Sequence, residues 1–228
     1  MLPRKWVLFC AAVGLIALAS FTTGCGSSSS NAKIRLVNAM PDEGSLDLLI
    51  DTKITSTGVG YGAASSYVGI ASGSRQIQVE PTGNTNVLFT RTDSIGSGNT
   101  FTLVSLNFSS NPSNVLLPDD NSTPTSGNFK LRIVTASSGM GTQDVYIVTD
   151  GTDIGSVSPT ISSLAFQNAS GYSTLVAGDY RVFFTPPGQK FINLDSGKLT
   201  FASGQVRTVL GLNNTVGGFE STLLTDAN

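Results

Sequence analysis

The feature that most constrains the fold is an internal repeat. The segment Lys33–Val37 recurs as Lys130–Val134, at an offset of 97 residues. Further along, Pro81–Gly83 matches Pro186–Gly188 at an offset of 105 residues, and the last strands align at 106. Loops absorb such small shifts at little cost in free energy. The sequence therefore predicts two copies of one unit, each of about 90–100 residues, the usual size of a small β-sandwich.

Composition divides the chain around these two copies. The segment 118–127 contains two prolines and no other apolar residue, which is typical of a linker. We predict a signal peptide (1–24), a flexible Ser/Gly tether (25–31), a first β-sandwich repeat (32–117), a linker (118–127) and a second β-sandwich repeat with a C-terminal tail (128–228).

Within each copy the hydrophobic pattern has a period of two residues. Phe129, Leu131 and Ile133 alternate with Lys130 and Arg132, as in a half-buried strand. Glycine, proline, asparagine and aspartate cluster between such runs and predict turns. No segment after the N-terminal region has a sustained helical stripe. The pattern predicts an all-β chain of two tandem β-sandwich domains.

The N-terminus predicts export and lipidation. Arg4 and Lys5 precede the apolar run Trp6–Phe21, which is shorter than the roughly 20 residues that a membrane-spanning helix needs. The end of this run resembles bacterial lipoprotein signals, in which a small residue (here Gly24) precedes a cysteine (here Cys25) that is acylated and becomes the mature N-terminus. The alternative is ordinary cleavage after residues 17–19, which leaves Cys25 as a free thiol.

Lipidation at Cys25 predicts a position at a membrane. Acyl chains such as palmitate hold a protein there, at about 0.8 kcal/mol per buried methylene. Gly26 after the cysteine favours the outer membrane by analogy with enteric bacteria. We therefore predict a lipid-anchored protein of the bacterial cell envelope, on either the periplasmic or the surface side.

Composition excludes several chemistries. Histidine is absent, and the two cysteines, Cys10 and Cys25, both lie near the N-terminus. Catalytic triads, histidine-ligated zinc and thiolate metal clusters are thus excluded from the body. Thirteen basic against fifteen acidic residues argue against a nucleic-acid partner. We predict no metal and no cofactor.

One segment resembles a known family. Arg35–Asp42, followed by Leu46–Leu48, is similar to the start of a bacterial extracytoplasmic family known as domain of unknown function 4397. Many members carry two such units behind a lipoprotein signal. The second unit keeps Arg132–Ala136 and Asp144–Tyr146, but Ser137–Gly139 replaces the proline turn. The resemblance implies immunoglobulin-like β-sandwiches, and it implies no activity.

Two arginine–aspartate combinations recur at equivalent positions, Arg35 with Asp47 and Arg132 with Asp144. They could form an anion-binding site in each unit. The interpretation we favour is an ion pair or a turn-capping carboxylate within each unit, because ion pairs near strand ends are commonly structural.

Other polar clusters suggest weaker hypotheses. Asp150–Asp153 and Pro118–Asn121 contain possible calcium ligands, but neither has the spacing of a calcium loop. A carboxylate-only glycoside hydrolase would draw on the densest acidic cluster, of which the second unit keeps only Asp144. That first-unit cluster comprises Asp42, Glu43, Asp47 and Asp51.

The sequence predicts a non-catalytic cell-envelope lipoprotein that presents two β-sandwich modules for recognition or structure. Its partners would be the membrane, through the N-terminal lipid, and an envelope protein or glycan. The alternative is a polysaccharide- or small-molecule-binding accessory component of an envelope transport or degradation system.

Overall fold

The computed structural model describes residues 31–228. The predicted signal peptide, Cys25 and the tether up to residue 30 lie outside the described residues. Residues 31–228 contain no helix that is long and apolar enough to cross a membrane.

The described chain consists of β-strands and one short 3₁₀ helix, Ile154–Ser156. The strands of the first unit are β1 (Asn31–Ala39), β2 (Ser45–Ile50), β3 (Lys53–Gly60), β4 (Val68–Ala71), β5 (Gly73–Pro81), β6 (Phe89–Ile95), β7 (Thr100–Leu106) and β8 (Ser113–Pro118). Those of the second unit are β9 (Asn128–Thr135), β10 (Gln143–Thr149), β11 (Ile161–Leu164), β12 (Ser173–Val176), β13 (Gly178–Thr185), β14 (Leu194–Asp195), β15 (Leu199–Phe201), β16 (Val206–Asn213) and β17 (Phe219–Ala227).

Each unit contains two sheets, and the strand order is the same in both units. The first unit has the orders β4-β1-β7-β8 and β3-β2-β5-β6. The second has β12-β9-β16-β17 and β11-β10-β13-β14, with β15 also on β13. In both units the first strand pairs in parallel with the seventh or its equivalent, β1 with β7 and β9 with β16. The all-β class is confirmed, whereas an immunoglobulin-like topology stays a prediction.

The period of two builds a core between the two sheets of each unit. In β1, Ile34 and Leu36 point into the first core, where they meet Leu46 and Leu48 of β2. An equivalent core in the second unit contains Phe129, whose ring stacks on the ring of Phe201 in β15. These apolar residues are fully buried, so their burial is the main contribution to the stability of each unit.

A third apolar cluster lies between the two units. It joins the outer face of sheet β4-β1-β7-β8 to the outer face of sheet β12-β9-β16-β17, so both of these sheets are covered on both sides. Its buried members form five equivalent pairs: Val37 and Val134, Ala39 and Ala136, Val104 and Leu210, Leu106 and Leu212, Leu117 and Leu224. We call these two covered faces the pairing faces.

The segment between the units is held against the body. Pro118 is the last residue of β8, and the side chain of the next residue, Asp119, is fully buried. Asp120 accepts a hydrogen bond from Lys130 Nζ at 2.6 Å, and the same nitrogen donates to Ser122. Hydrogen bonds from Lys130 and Ser122 lower the pKa of Asp120 to about 2. The connection therefore has defined contacts with the second unit.

The two units lie side by side, and β1 and β9 begin at the same end of the molecule. At the end where β1 and β9 finish, two hydrogen bonds join the units. Tyr61 Oη donates to the backbone oxygen of Asn213, and Gln167 donates to Ser113. We call the end where β1 begins the proximal end; it also carries residues 119–127 and the C-terminus. The opposite, distal end is formed by six loops, at residues 40–44, 82–88, 107–112, 136–142, 186–193 and 214–218.

The tightness of the second core gives a first prediction. A Cβ atom on Gly211 in β16 would lie 2.7 Å from Met140 Cε and 3.2 Å from the Phe184 ring. We expect Gly211→Ala to lower the free energy of unfolding by about 1–3 kcal/mol, because added volume strains a packed core. The measurement is urea unfolding beside Gly44→Ala, where a Cβ would meet nothing within 4 Å. Equal stability of the two variants would contradict this packing.

Candidate functional site

The most elaborate polar cluster centres on the two arginines singled out by the repeat. Arg35 lies on the pairing face of the first unit and is only 2% exposed. Its Nε donates to Thr102 Oγ1 at 2.9 Å, its Nη1 donates to the backbone oxygen of Thr225 at 2.7 Å, and its Nη2 forms an ion pair with Asp226. The guanidinium lies over the ring of Tyr67, 4.6 Å from the ring centre.

Arg132 has the equivalent surroundings in the second unit. Its Nε donates to Thr208 Oγ1 at 3.1 Å, and its Nη1 donates to the backbone oxygen of Pro118 at 3.2 Å. Its Nη2 lies 2.8 Å from Asp119 Oδ1, and its guanidinium lies 4.7 Å from the centre of the Tyr172 ring. The two arginines therefore occupy equivalent positions in the two units.

Each aspartate is held by its own unit and pairs with the arginine of the other unit. Asp119 accepts hydrogen bonds from Tyr67 Oη and Thr102 Oγ1, both at 2.7 Å, while it pairs with Arg132 of the second unit. We call the two ion pairs, Arg132 with Asp119 and Arg35 with Asp226, the crossed Arg–Asp pairs.

The second carboxylate repeats the geometry in the opposite direction. Asp226 accepts hydrogen bonds from Tyr172 Oη at 2.8 Å and Thr208 Oγ1 at 2.6 Å, and it pairs with Arg35 of the first unit. Burial raises the pKa of the Tyr172 hydroxyl above its ordinary value, and burial likewise raises that of Tyr67, to about 12. Both hydroxyls thus remain neutral donors over the whole physiological pH range.

The ion pairs predicted within each unit are wrong. Arg35 does not pair with Asp47, and Arg132 does not pair with Asp144, because each predicted pair is split between the two outer faces of one sandwich. The arginine points out of the sheet that contains β1 or β9, whereas the aspartate points out of the sheet that contains β2 or β10. The partner of each arginine comes from the other unit.

Asp47 and Asp144 instead hold turns and strand edges. Asp47 accepts hydrogen bonds from Thr57 Oγ1 and from the backbone N–H of Gly58, both at 2.8 Å, and from Thr82. Burial raises the pKa of Asp47, but the hydrogen bonds outweigh this effect and leave the pKa below its ordinary value.

Asp144 accepts in the same way from the backbone N–H groups of Ser163 and Gly188, each at 2.8 Å. The turn-capping interpretation therefore fits these two carboxylates better than ion pairing does.

The acidic cluster considered for hydrolysis is dispersed among structural roles. Asp42 accepts hydrogen bonds from Ser109, and Asp51 pairs with Arg75 at 2.7 Å. Asp47 accepts the hydrogen bonds from Thr57, Gly58 and Thr82 described above. Each of these three carboxylates therefore has donors of its own, and the geometry gives no support to a catalytic pair.

The carboxylates of the candidate calcium segments are also engaged. Asp150 pairs with Arg181 at 2.7 Å, and Asp153 accepts from the N–H of Gly155 at the start of the 3₁₀ helix. Within residues 31–228, no three histidine, cysteine, aspartate or glutamate side chains come together as a metal site.

Two equivalent grooves flank the crossed Arg–Asp pairs. The larger, about 570 Å³, is lined by Arg35, residues 62–67 and residues 222–226. The smaller, about 270 Å³, is lined by Leu117, Pro118, Arg132 and residues 169–172. The arginine at the base of each groove already donates to partners within the protein. The grooves are therefore edges of the contact between the units, and the arginine of each groove is engaged within the protein.

Exposed apolar side chains concentrate at the distal end instead. Four of its loops carry them, and the most exposed are Phe191 at 72% and Val216 at 90%. The others are Val87, Phe108 and Ile192. These five side chains lie on loop tips and contribute little to either core.

The distal end carries very little charge. Among its six loops the ionisable residues are Asp42, Glu43 and Lys190. Lys190 Nζ donates to the backbone oxygens of Ile154 and Val157, so its charge is directed back into the protein. The remaining polar groups are chiefly the amides and hydroxyls of asparagine, serine and threonine.

Sequence reasoning missed Asp119 and Asp226, the residues that complete the site. A signal was present, because each aspartate stands two positions after an equivalent leucine, Leu117 or Leu224, at an offset of 107 residues. Asp119 fell in the predicted linker and Asp226 in the predicted tail, which placed both outside the compared strands.

The chain belongs to the family described as "Domain of unknown function (DUF4397)", which matches residues 32–146. No curated protein matches the sequence. The chain is similar to a structure described as "Alpha-glucan binding by a streptococcal virulence factor", with 10% identity, 84% of this chain and 97% of that chain covered, and a TM-score of 0.28. It is also similar to the family 26 carbohydrate-binding module CBMbc from Eubacterium rectale Amy13K, with 11% identity, 87% and 98% covered, and a TM-score of 0.27.

The crossed Arg–Asp pairs predict unequal effects of two aspartate substitutions. Asp226→Ala would leave Arg35 buried without its counter-charge, and we expect a loss of about 3–5 kcal/mol in the free energy of unfolding. Asp150→Ala, which removes an exposed partner of Arg181, should cost no more than about 1 kcal/mol. Chemical unfolding of both variants checks this, and a small, equal loss in both would contradict a structural role for the buried pair.

Proposed function

We propose that this chain is a non-catalytic lipoprotein of the bacterial cell envelope that presents its two units as one recognition body. The observation that carries the proposal is that the N-terminal strand and the exposed apolar loop tips lie at opposite ends of the body. The first strand begins at the proximal end, and the exposed apolar loop tips lie at the distal end. An anchor at the N-terminus would hold the proximal end at the membrane and direct the tips away from it.

The length of the tether supports this orientation. Five residues, 26–30, separate Cys25 from the start of β1 at Asn31. Five extended residues span at most about 18 Å. A lipid on Cys25 would therefore keep the body close to the membrane surface.

The state of the carboxylates supports a non-catalytic role. Asp119 and Asp226 are buried in crossed pairs, and Asp47 and Asp144 hold turns. A catalytic carboxylate has to reach a substrate, whereas these four direct their oxygens to donors within the protein.

The composition of the distal loops favours an uncharged partner. Loops rich in small amides and hydroxyls adapt their hydrogen bonds to a ligand, while exposed rings supply contact area. Phe108 and Phe191 provide such rings, and the near absence of charge gives no attraction for a charged polymer. A neutral polysaccharide of the envelope satisfies these requirements, and so does an uncharged protein surface.

The proposed anchor predicts a sharp difference between the two cysteines. Cys25→Ala should abolish incorporation of radiolabelled palmitate and release the protein from the membrane fraction. Cys10→Ala is the matched control, because Cys10 would be removed with the signal peptide, and it should retain both label and membrane attachment. Label that survives Cys25→Ala would contradict the proposal.

The proposed recognition surface predicts an equally local effect. The double variant Phe191→Ser with Ile192→Ser should reduce binding of the purified chain to isolated envelopes by at least tenfold, because it removes exposed contacts without touching a core. Val176→Ser, at an equally exposed valine at the proximal end, is the matched control and should bind normally. Binding should also change little between about 0.05 and 0.5 M salt, since few charges are involved.

Equal binding of both variants, or loss in the proximal control, would contradict recognition through the distal loops.

A further inference from the structure

The two pairing faces are almost the same surface. Nine equivalent positions build each face and its polar centre, and eight of them hold the same residue type in both units. The nine are Arg35 and Arg132, Val37 and Val134, Ala39 and Ala136, Tyr67 and Tyr172, Thr102 and Thr208, Val104 and Leu210, Leu106 and Leu212, Leu117 and Leu224, Asp119 and Asp226.

Such a face is self-complementary. In a two-fold interface the same patch serves both partners, so an arginine on one copy meets a carboxylate on the other. The crossed Arg–Asp pairs have this geometry, because Arg35 meets Asp226 and Arg132 meets Asp119. The chemistry of the face therefore matches any second copy of the face, in the same chain or in a neighbouring one.

We propose that two copies of this chain form a dimer by exchanging units, so that the first unit of one chain pairs with the second unit of the other. Such a dimer contains the same two pairing faces per chain, the same crossed Arg–Asp pairs and the same buried apolar area as the closed monomer. The free-energy difference between the monomer and the dimer then depends on the conformation of the linker and on the protein concentration.

Contacts at the rim of the interface favour pairing of unlike units over pairing of like units. Tyr61 donates to the backbone oxygen of Asn213, but its equivalent in the second unit is Phe166, which has no hydroxyl. Gln167 donates to Ser113 at 2.7 Å, but its equivalent in the first unit is Gly62. A pair of two first units keeps the Tyr61 bond on both sides but loses the Gln167 bond, and a pair of two second units loses both. For the same four units, unlike pairing therefore makes four of these bonds and like pairing makes two.

The linker contacts are compatible with exchange. Lys130 binds Asp120 and Ser122 next to the end of β8, and the same bonds can form when Lys130 belongs to the neighbouring chain. The closed monomer is favoured below the effective concentration of linked modules, which is in the millimolar range for a short linker. Confinement of lipidated chains to a membrane would raise the local concentration toward that range.

Exchange is tested by energy transfer between labelled full chains. Cys10→Ser and Cys25→Ser remove both native thiols, and Asn86→Cys, on an exposed distal loop, supplies one for a dye. Donor- and acceptor-labelled chains are unfolded together in urea and refolded at about 1 mM and at about 1 µM. We expect transfer at the higher concentration, with a discrete species of twice the monomer mass, and at least tenfold less transfer at the lower concentration.

Two results would overturn the proposal. One is a monomer without transfer after refolding at about 1 mM. The other is transfer that comes from a broad range of masses, because non-specific aggregates lack a defined stoichiometry. Light scattering on the eluted species distinguishes a discrete dimer from aggregates. The readout does not depend on lipidation or on a distal partner, so failure of exchange leaves the proposed function standing.

Discussion

The arrangement of the molecule depends on two buried guanidinium groups between its units. Moving Arg35 and Arg132 out of water costs several kcal/mol each, and a single ion pair seldom offsets that cost. Here each arginine also donates to a threonine and a backbone oxygen, and lies on a tyrosine ring. Charge-assisted hydrogen bonds of this kind are about twice as strong as neutral ones, and together they make the burial tolerable.

These bonds also determine how the units are placed. Each aspartate is fixed by a tyrosine and a threonine of its own unit before it reaches the other unit, so a small shift between the units would break several bonds at once. The apolar residue pairs around the crossed Arg–Asp pairs supply most of the buried area between the units. The crossed pairs themselves determine the relative position of the units. Asp119 follows the last strand of the first unit and Asp226 lies near the end of β17, so the linker and the C-terminal end are fixed at the same proximal end. The distal loops are left at the opposite end, where the proposed recognition takes place.

Much of the fold could be predicted from the sequence because it follows from local patterns. The alternation around Leu131 predicted strands, and the all-β class is confirmed. The covered outer faces were harder to predict. In β1 the run Ile34–Ala39 is apolar on both faces apart from Arg35 and Asn38, which is typical of a strand buried on both sides.

The site could be predicted only in part for a related reason. The repeat singled out Arg35 and Arg132, but alternation along a strand does not say which other unit covers the face. Asp47 and Asp144, which recur at equivalent positions near the starts of the next predicted strands, were therefore assigned as partners. The true partners lie 190 or so residues away for Arg35 and 13 for Arg132, and tertiary packing alone brings them together.

The crossed Arg–Asp pairs should join the two units into one cooperative body, and calorimetric unfolding tests this. The account predicts one transition for the native chain, with equal calorimetric and van't Hoff enthalpies. It predicts that the double variant Asp119→Ala with Asp226→Ala separates this transition into two. Two transitions in the native chain would contradict the account, because the units would then unfold independently despite intact pairs.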